Sequence, residues 1–106
     1  MGRVVIACFR PRPGKDADLL AAVKDHMPTL RSEGLITNRE VVVMRAGDGT
    51  IIEVFEWRSQ ESIDRAHENP SVQKLWARFE AACEYVPIGS VAEASHMFSG
   101  FEPVQV

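Results

Sequence analysis

Near the middle of the 106-residue chain, Ala46-Gly47-Asp48-Gly49 lies between two runs rich in β-branched residues, Thr37 to Arg45 and Thr50 to Trp57. Asp-Gly in that setting closes a β-hairpin, because aspartate and glycine tolerate the positive φ that a tight turn between twisted strands requires. A hairpin alone is only marginally stable in water, so the flanking segments must supply further strands and a helical cover. Upstream, Val4-Val5-Ile6-Ala7-Cys8-Phe9 is closed by Arg10-Pro11-Arg12-Pro13-Gly14, which predicts a first strand and a turn. From Lys15 the apolar period becomes helical. Leu20, Val23, Met27 and Leu30 recur on one face, Asp16 and Asp18 suit the positive end of the dipole, and Gly34 is a natural stop. Pro28 removes one helical hydrogen bond, so a kink or a shortened last turn is expected there.

Downstream of the hairpin, Ser59 caps a short helix running through Ile63 and Ala66 to His67. Asn69-Pro70 then starts another, with asparagine as cap and proline in the first helical position. Val72, Leu75, Trp76, Phe79 and Cys83 form its apolar stripe. Tyr85 to Ile88 is a candidate fourth strand, and Pro87 argues for an edge or an end. The resulting order β-α-β-β-α-β is the split βαβ, or ferredoxin-like, arrangement of an α+β fold. One domain is expected over residues 1–106, its core spanning about 3–88 and a C-terminal appendix about 89–106. In the appendix Ser90-Val91-Ala92-Glu93 matches a capping box, Val91, Ala94 and Phe98 share a helical face, and Phe101 to Val106 trails off extended.

A sheet with helices on one face and water on the other alternates apolar and polar residues. The first strand and Val41 to Met44 do not alternate, so both sheet faces are expected to be covered. With two main helical segments available, the expected cover for the second face is another copy of the same sheet, which predicts a homodimer. The alternative is a monomer covered by its own appendix.

Charge narrows the partners. Twelve basic against fifteen acidic residues leave a net charge of −3, which speaks against a phosphate-tracking surface and hence against nucleic acid. The longest apolar run, Val4 to Phe9, is too short to span a bilayer or to form a signal-peptide core, so no membrane partner and a cytoplasmic location are expected. Cys8 and Cys83 form no Cys-x-x-Cys pair and read as core residues.

Pro13-Gly14-Lys15 leading to Leu19-Leu20, then Glu53-Val54-Phe55-Glu56-Trp57-Arg58-Ser59, then Ala66-His67-Glu68-Asn69-Pro70-Ser71-Val72 resemble the antibiotic biosynthesis monooxygenase-like domain of the dimeric α+β barrel superfamily. The resemblance covers roughly residues 3 to 88 and is specific for fold rather than chemistry. It implies a ferredoxin-like protomer, two sheets forming a barrel across a dimer, and a ligand pocket between sheet and helices. The activities it implies range from cofactor-free oxygenation of quinol-like molecules to haem degradation, rearrangements and roles without chemistry, so the pocket must decide. Aligned with the haem-degrading branch, Phe9, Ala66 and Trp76 stand where that branch has asparagine, tryptophan and the iron-binding histidine.

His67 resembles the histidine that many members carry on this helix, and an imidazole titrates in the range suited to a general base. The competing reading is a helix-end histidine bonded to a backbone carbonyl. Alternation puts Ile51, Glu53, Phe55 and Trp57 on one face of their strand and Ile52, Val54 and Glu56 on the other, so the two carboxylates cannot act on one substrate. A buried carboxylate needs a partner, and a salt bridge to Arg39, Arg45 or Arg3 is the simpler assignment for each. Glu53, flanked by Phe55 and Trp57, suits a pocket better. Phe9, Phe55, Trp76 and Phe79 are candidate pocket walls, although Trp76 and Phe79 also satisfy the core stripe. His96 is a candidate lid or dimer contact, and His26 reads as a surface or helix-flank residue. The three histidines lie 41 and 29 residues apart, which gives no metal-ligand spacing. Gly47-Asp48-Gly49 lacks the third glycine of a dinucleotide fingerprint.

The expectation is therefore a small homodimeric monooxygenase-like protein acting on a planar phenolic or quinol-type molecule. His67 would be its base or proton shuttle, Glu53 would orient His67 or the substrate, and oxygen would be the cosubstrate, with no metal or flavin. The competing classes are a non-catalytic binding or accessory domain and a cofactor-free isomerase.

Overall fold

The computed structural model describes residues 2–106. Strand β1 (Arg3–Pro11) is followed by helix α1 (Asp16–Ser32), the hairpin strands β2 (Val42–Arg45) and β3 (Ile51–Trp57), helices α2 (Gln60–Ala66) and α3 (Pro70–Ala82), strand β4 (Cys83–Val86), two 3-10 turns and a two-residue strand β5 (Glu102–Pro103). The sheet is antiparallel throughout, in the order β4-β1-β3-β2-β5, and it is open. Its first four strands have the ferredoxin-like arrangement that the element order predicts.

Local chemistry explains most boundaries. In the hairpin, the Asp48 carboxylate accepts the Thr50 N–H at 2.9 Å, Ala46 N–H bonds the Thr50 carbonyl at 2.8 Å, and Gly49 takes φ +93°. The Thr50 backbone bond, together with the Arg10 guanidinium, holds the Asp48 carboxyl below its usual range. Ser59 caps α2 through the Ser62 N–H, and Asn69 caps α3 through the N–H groups of Ser71 and Val72. Gly34, at φ +71°, lets the Leu35 N–H return to the Leu30 carbonyl and its own N–H to the Arg31 carbonyl, ending α1 in a Schellman motif. Pro28 neither stops nor shortens α1, which continues to Ser32; the ring faces solvent.

Three expected elements differ. The fourth strand runs over Cys83–Val86 rather than Tyr85 to Ile88, so Cys83 belongs to it and not to the α3 stripe. The strand anticipated from Thr37 is confined to Val42–Arg45, because the Thr37 hydroxyl accepts the Arg39 N–H at 3.1 Å and donates to Glu56 at 2.9 Å. That local turn competes with the ladder. The appendix forms 3-10 turns at Ile88–Ser90 and Ala92–Ser95 instead of a capped helix. Its would-be capping glutamate, Glu93, is engaged elsewhere and accepts the Gly47 N–H of the hairpin at 2.7 Å.

The inner sheet face carries Phe9, Ile51, Glu53, Phe55 and Trp57 beneath α1 and α3, where Leu19, Ala22, Val23, Leu75 and Phe79 complete the core. The outer face is covered over part of its area. Val91, with Ala94 and Phe101, packs on Cys8 and Ile52, and β5 pairs with β2 at the far edge. Beyond that cover, Val4, Ile6 and Val42 remain exposed at 52%, 53% and 53%.

Docking of the appendix is testable. Val91→Ala deletes two methyl groups from a fully buried site, and we expect a loss of about 2 kcal/mol in unfolding free energy by urea titration. An unchanged midpoint would show that the segment does not seal the outer face in solution.

Candidate functional site

The most distinctive polar contact in the protein lies inside the core. Glu53, in the middle of β3, is fully buried, and its Oε1 lies 2.7 Å from Nδ1 of His26 on α1. A carboxylate only accepts, so with Glu53 ionised the proton on this bond belongs to Nδ1 and the lone pair of the neutral ring is left at Nε2. His26 Nε2 and Glu53 Oε2 are both buried without a protein partner among the described residues. Aromatic rings enclose the imidazole. Phe79, Phe55 and Phe9 stand 4.9, 5.5 and 6.4 Å from it, centre to centre, all in edge-on geometry.

His26 also lines a cavity of about 220 Å³, shared with Phe9, His67, Trp76, Phe79 and Tyr85. A larger concavity, about 510 Å³, is a groove at the β2 edge whose charged groups, Arg31 and Glu40, are solvent-exposed. We take the smaller cavity as the candidate site, because it joins aromatic walls to groups able to move protons.

The remaining candidates fall around this centre in different ways. His67 is exposed at the α2–α3 junction and lines the cavity. Its Nδ1–H donates to the Ile63 carbonyl at 2.9 Å, as expected of a helix-end histidine, and its ring packs edge-on against Trp76 at 5.1 Å. Caps and clamps stiffen this junction, with Gln73 donating to the His67 carbonyl and Asn69 to Glu33. Phe9 and Phe79 are buried in the lining, and Trp76 is half-buried there. Phe55 supports His26 from outside the cavity. His96 lies exposed at the end of the second 3-10 turn and is not part of the lining, because the appendix crosses the outer face and the cavity opens from the inner one.

The carboxylate assignments divide. Glu56, on the outer face, has the expected arginine: Arg39 donates at 3.1 Å and Thr37 at 2.9 Å. The Thr37 hydroxyl, then Arg39, holds the Glu56 carboxyl below its usual range. Glu53 has no arginine and makes no hydrogen bond to His67; its partner is His26. His26 is therefore a core residue rather than a surface one. The signal was present in the sequence. Leu19, Ala22, Val23, His26, Met27 and Leu30 are the buried residues of α1, and a stripe counted from Leu19 rather than Leu20 includes the histidine.

Tyr85 is the other residue absent from the sequence-based site. It pairs with Phe9 across the β4–β1 ladder, which puts both side chains on the inner face, and their rings stand 5.9 Å apart. Desolvation of the phenol, reinforced by the neighbouring Cys83 sulfur and the Glu80 carboxylate, pushes Tyr85 up to about 12. The hydroxyl is thus neutral and able to donate across the physiological range.

An antiparallel sheet of this order, with two helices over one face and an aromatic cavity between the layers, defines a ferredoxin-like α+β protein. The family model for antibiotic biosynthesis monooxygenase matches residues 3–78, and the chain belongs to that family. Among solved structures, that of Rv0793 from Mycobacterium tuberculosis is similar in fold, with a TM-score of 0.66 and 21% sequence identity over 81% of this chain and 89% of that one. No curated protein matches the chain. No helix among the described residues is long and apolar enough to cross a membrane.

The buried pair makes a thermodynamic prediction. His26→Leu strands the Glu53 carboxylate in the core and is expected to destabilise the protein by about 3 kcal/mol or more. Adding Glu53→Leu in the same chain should recover most of that loss in urea unfolding. Equal instability of the single and double variants would show that the pair is not coupled.

Proposed function

We propose that this protein is a cofactor-independent monooxygenase-like enzyme for small planar phenolic or quinol-type molecules, with His26 as its base. The observation that carries the reading is the His26–Glu53 pair: an imidazole tethered through Nδ1 to a buried carboxylate, its Nε2 unpaired, in the wall of an aromatic cavity. This is the base-and-orienter logic of acid–base catalysis. Nε2 takes the phenolic proton once the substrate has shifted the rings that screen it, and Glu53 stabilises the imidazolium that forms. The resulting phenolate passes one electron to dioxygen, and the aryloxyl radical and superoxide join at a ring carbon as a peroxide, which takes back the proton held at His26 to become a hydroperoxide. Loss of the hydrogen on that carbon as a proton, with cleavage of the O–O bond, expels water and leaves a new carbonyl. One oxygen atom enters the product and the other leaves as water. His67, exposed at the rim, exchanges protons between the cavity and solvent.

The same reading includes a homodimer. Val4, Ile6 and Val42 form an apolar stripe on the outer face that the appendix leaves open, and a second sheet of the same kind is the complementary cover. Ile6→Lys is expected to convert a dimer to a folded monomer in sedimentation velocity. A wild-type protein that sediments as a monomer would rule the dimer out.

Oxygen uptake with 1,4-naphthohydroquinone, corrected for autoxidation, tests the chemistry. We expect His26→Gln, which keeps a donor toward Glu53 but removes the base, to lower turnover by about 100-fold or more. His67→Gln should cost less than about tenfold, because solvent can replace an exposed shuttle. Wild-type turnover in a folded His26→Gln variant would remove His26 from the mechanism. Ligand binding without uptake would favour the non-catalytic binding class.

A further inference from the structure

We infer that Tyr85 is the specificity-determining residue at the cavity mouth, where its phenol hydrogen-bonds a second oxygen on the far edge of a flat, uncharged one- or two-ring aromatic whose first hydroxyl lies at His26. The inference rests on the reading of this cavity as the ligand site, and it adds which molecules the site accepts. Four observations converge on it.

The polar groups of the lining are separated by depth. His26 is 4% exposed and Tyr85 57% exposed, so one lies at the inner end and the other at the rim. Phe9 neighbours both, its ring centre 6.4 Å from His26 and 5.9 Å from Tyr85, which caps their separation at the span of a fused pair of rings with its hydroxyls. Size sets the second limit. About 220 Å³ is below the usual range for drug-sized ligands and suits one or two rings.

Charge sets the third. The lining holds no lysine or arginine, so no fixed positive charge there offsets the desolvation of an anionic ligand. The negative charge of Glu80 acts on Tyr85 from outside the lining and further disfavours anions. The fourth is the state of the phenol. No hydrogen bond from another described residue engages its hydroxyl, and its raised pKa keeps the donor proton in place. Tyr85 therefore offers a free neutral donor to a ligand oxygen that His26 does not reach.

Isothermal titration calorimetry with three stable probes tests this without relying on turnover. They are 2,6-dihydroxynaphthalene, 2-naphthol and 6-hydroxy-2-naphthoate. We expect the diol to bind the wild-type protein about five- to tenfold more tightly than the mono-ol, the worth of one hydrogen bond. Tyr85→Phe should bring the diol to the level of the mono-ol and leave the mono-ol unchanged; the side chain is exposed, so the variant folds. The carboxylate should bind at least about tenfold more weakly than the diol. Equal weakening of diol and mono-ol by Tyr85→Phe would overturn the inference, since it would show a packing role only. Tight binding of the carboxylate, or failure of the diol to bind, would overturn it as well. Discrimination between diol and mono-ol by a protein that takes up no oxygen with 1,4-naphthohydroquinone would leave this inference standing and count against the monooxygenase reading.

Discussion

A carboxylate on the middle strand of a sheet cannot stay in an apolar core without a partner, and here the partner comes from the helix that crosses above it. Glu53 stands opposite Ala7 on one side and Val43 on the other, neither able to bond it. The 2.7 Å contact with His26 fixes which face of α1 turns toward the sheet. Once that rotation is set, Val23, Met27 and Leu30 enter the core with it, and Lys24 and Asp25 are left in solvent. Desolvation of a charge is a cost that apolar residues at both positions would avoid. The pair nonetheless leaves a polar atom at the cavity wall.

Much of the architecture was legible because it depends on local rules. Ser59, Asn69-Pro70 and the Asp48-Gly49 turn act through their own backbones, and alternation along β3 assigned Glu53 and Glu56 to opposite faces before any contact was known. The site was less legible because it depends on which elements meet. Tyr85 belongs to it only through pairing with Phe9, and no short-range pattern reports a β4–β1 register. His26 was hidden by a choice of one residue in the phase of the α1 stripe. The appendix was misread for the same reason: a glutamate that satisfies a local cap also satisfies a distant N–H, and Gly47 won.

The outer face shows a division of labour that the choice between a dimer and a self-covered monomer did not anticipate. The appendix protects the Cys8 and Ile52 end, anchored by the Glu93–Gly47 bond and by the β5–β2 pairing, while Val4, Ile6 and Val42 stay open. Unbroken apolar runs in β1 and β2 therefore meet a cover from the same chain at one end only, and their other end stays exposed.

Helix α3 passes into strand β4 with no connecting residue, Ala82 ending one and Cys83 beginning the other. The cavity wall built by Trp76, Phe79 and Tyr85 is thus a single unhinged stretch of backbone. Loops tolerate changes of length, but this joint has none to absorb them. Insertion of one residue there would carry Tyr85 to the opposite side of the pleat and replace it at the cavity with a neighbour. Descendants of this chain can retune the mouth of the cavity by exchanging side chains, whereas lengthening the segment would erase it.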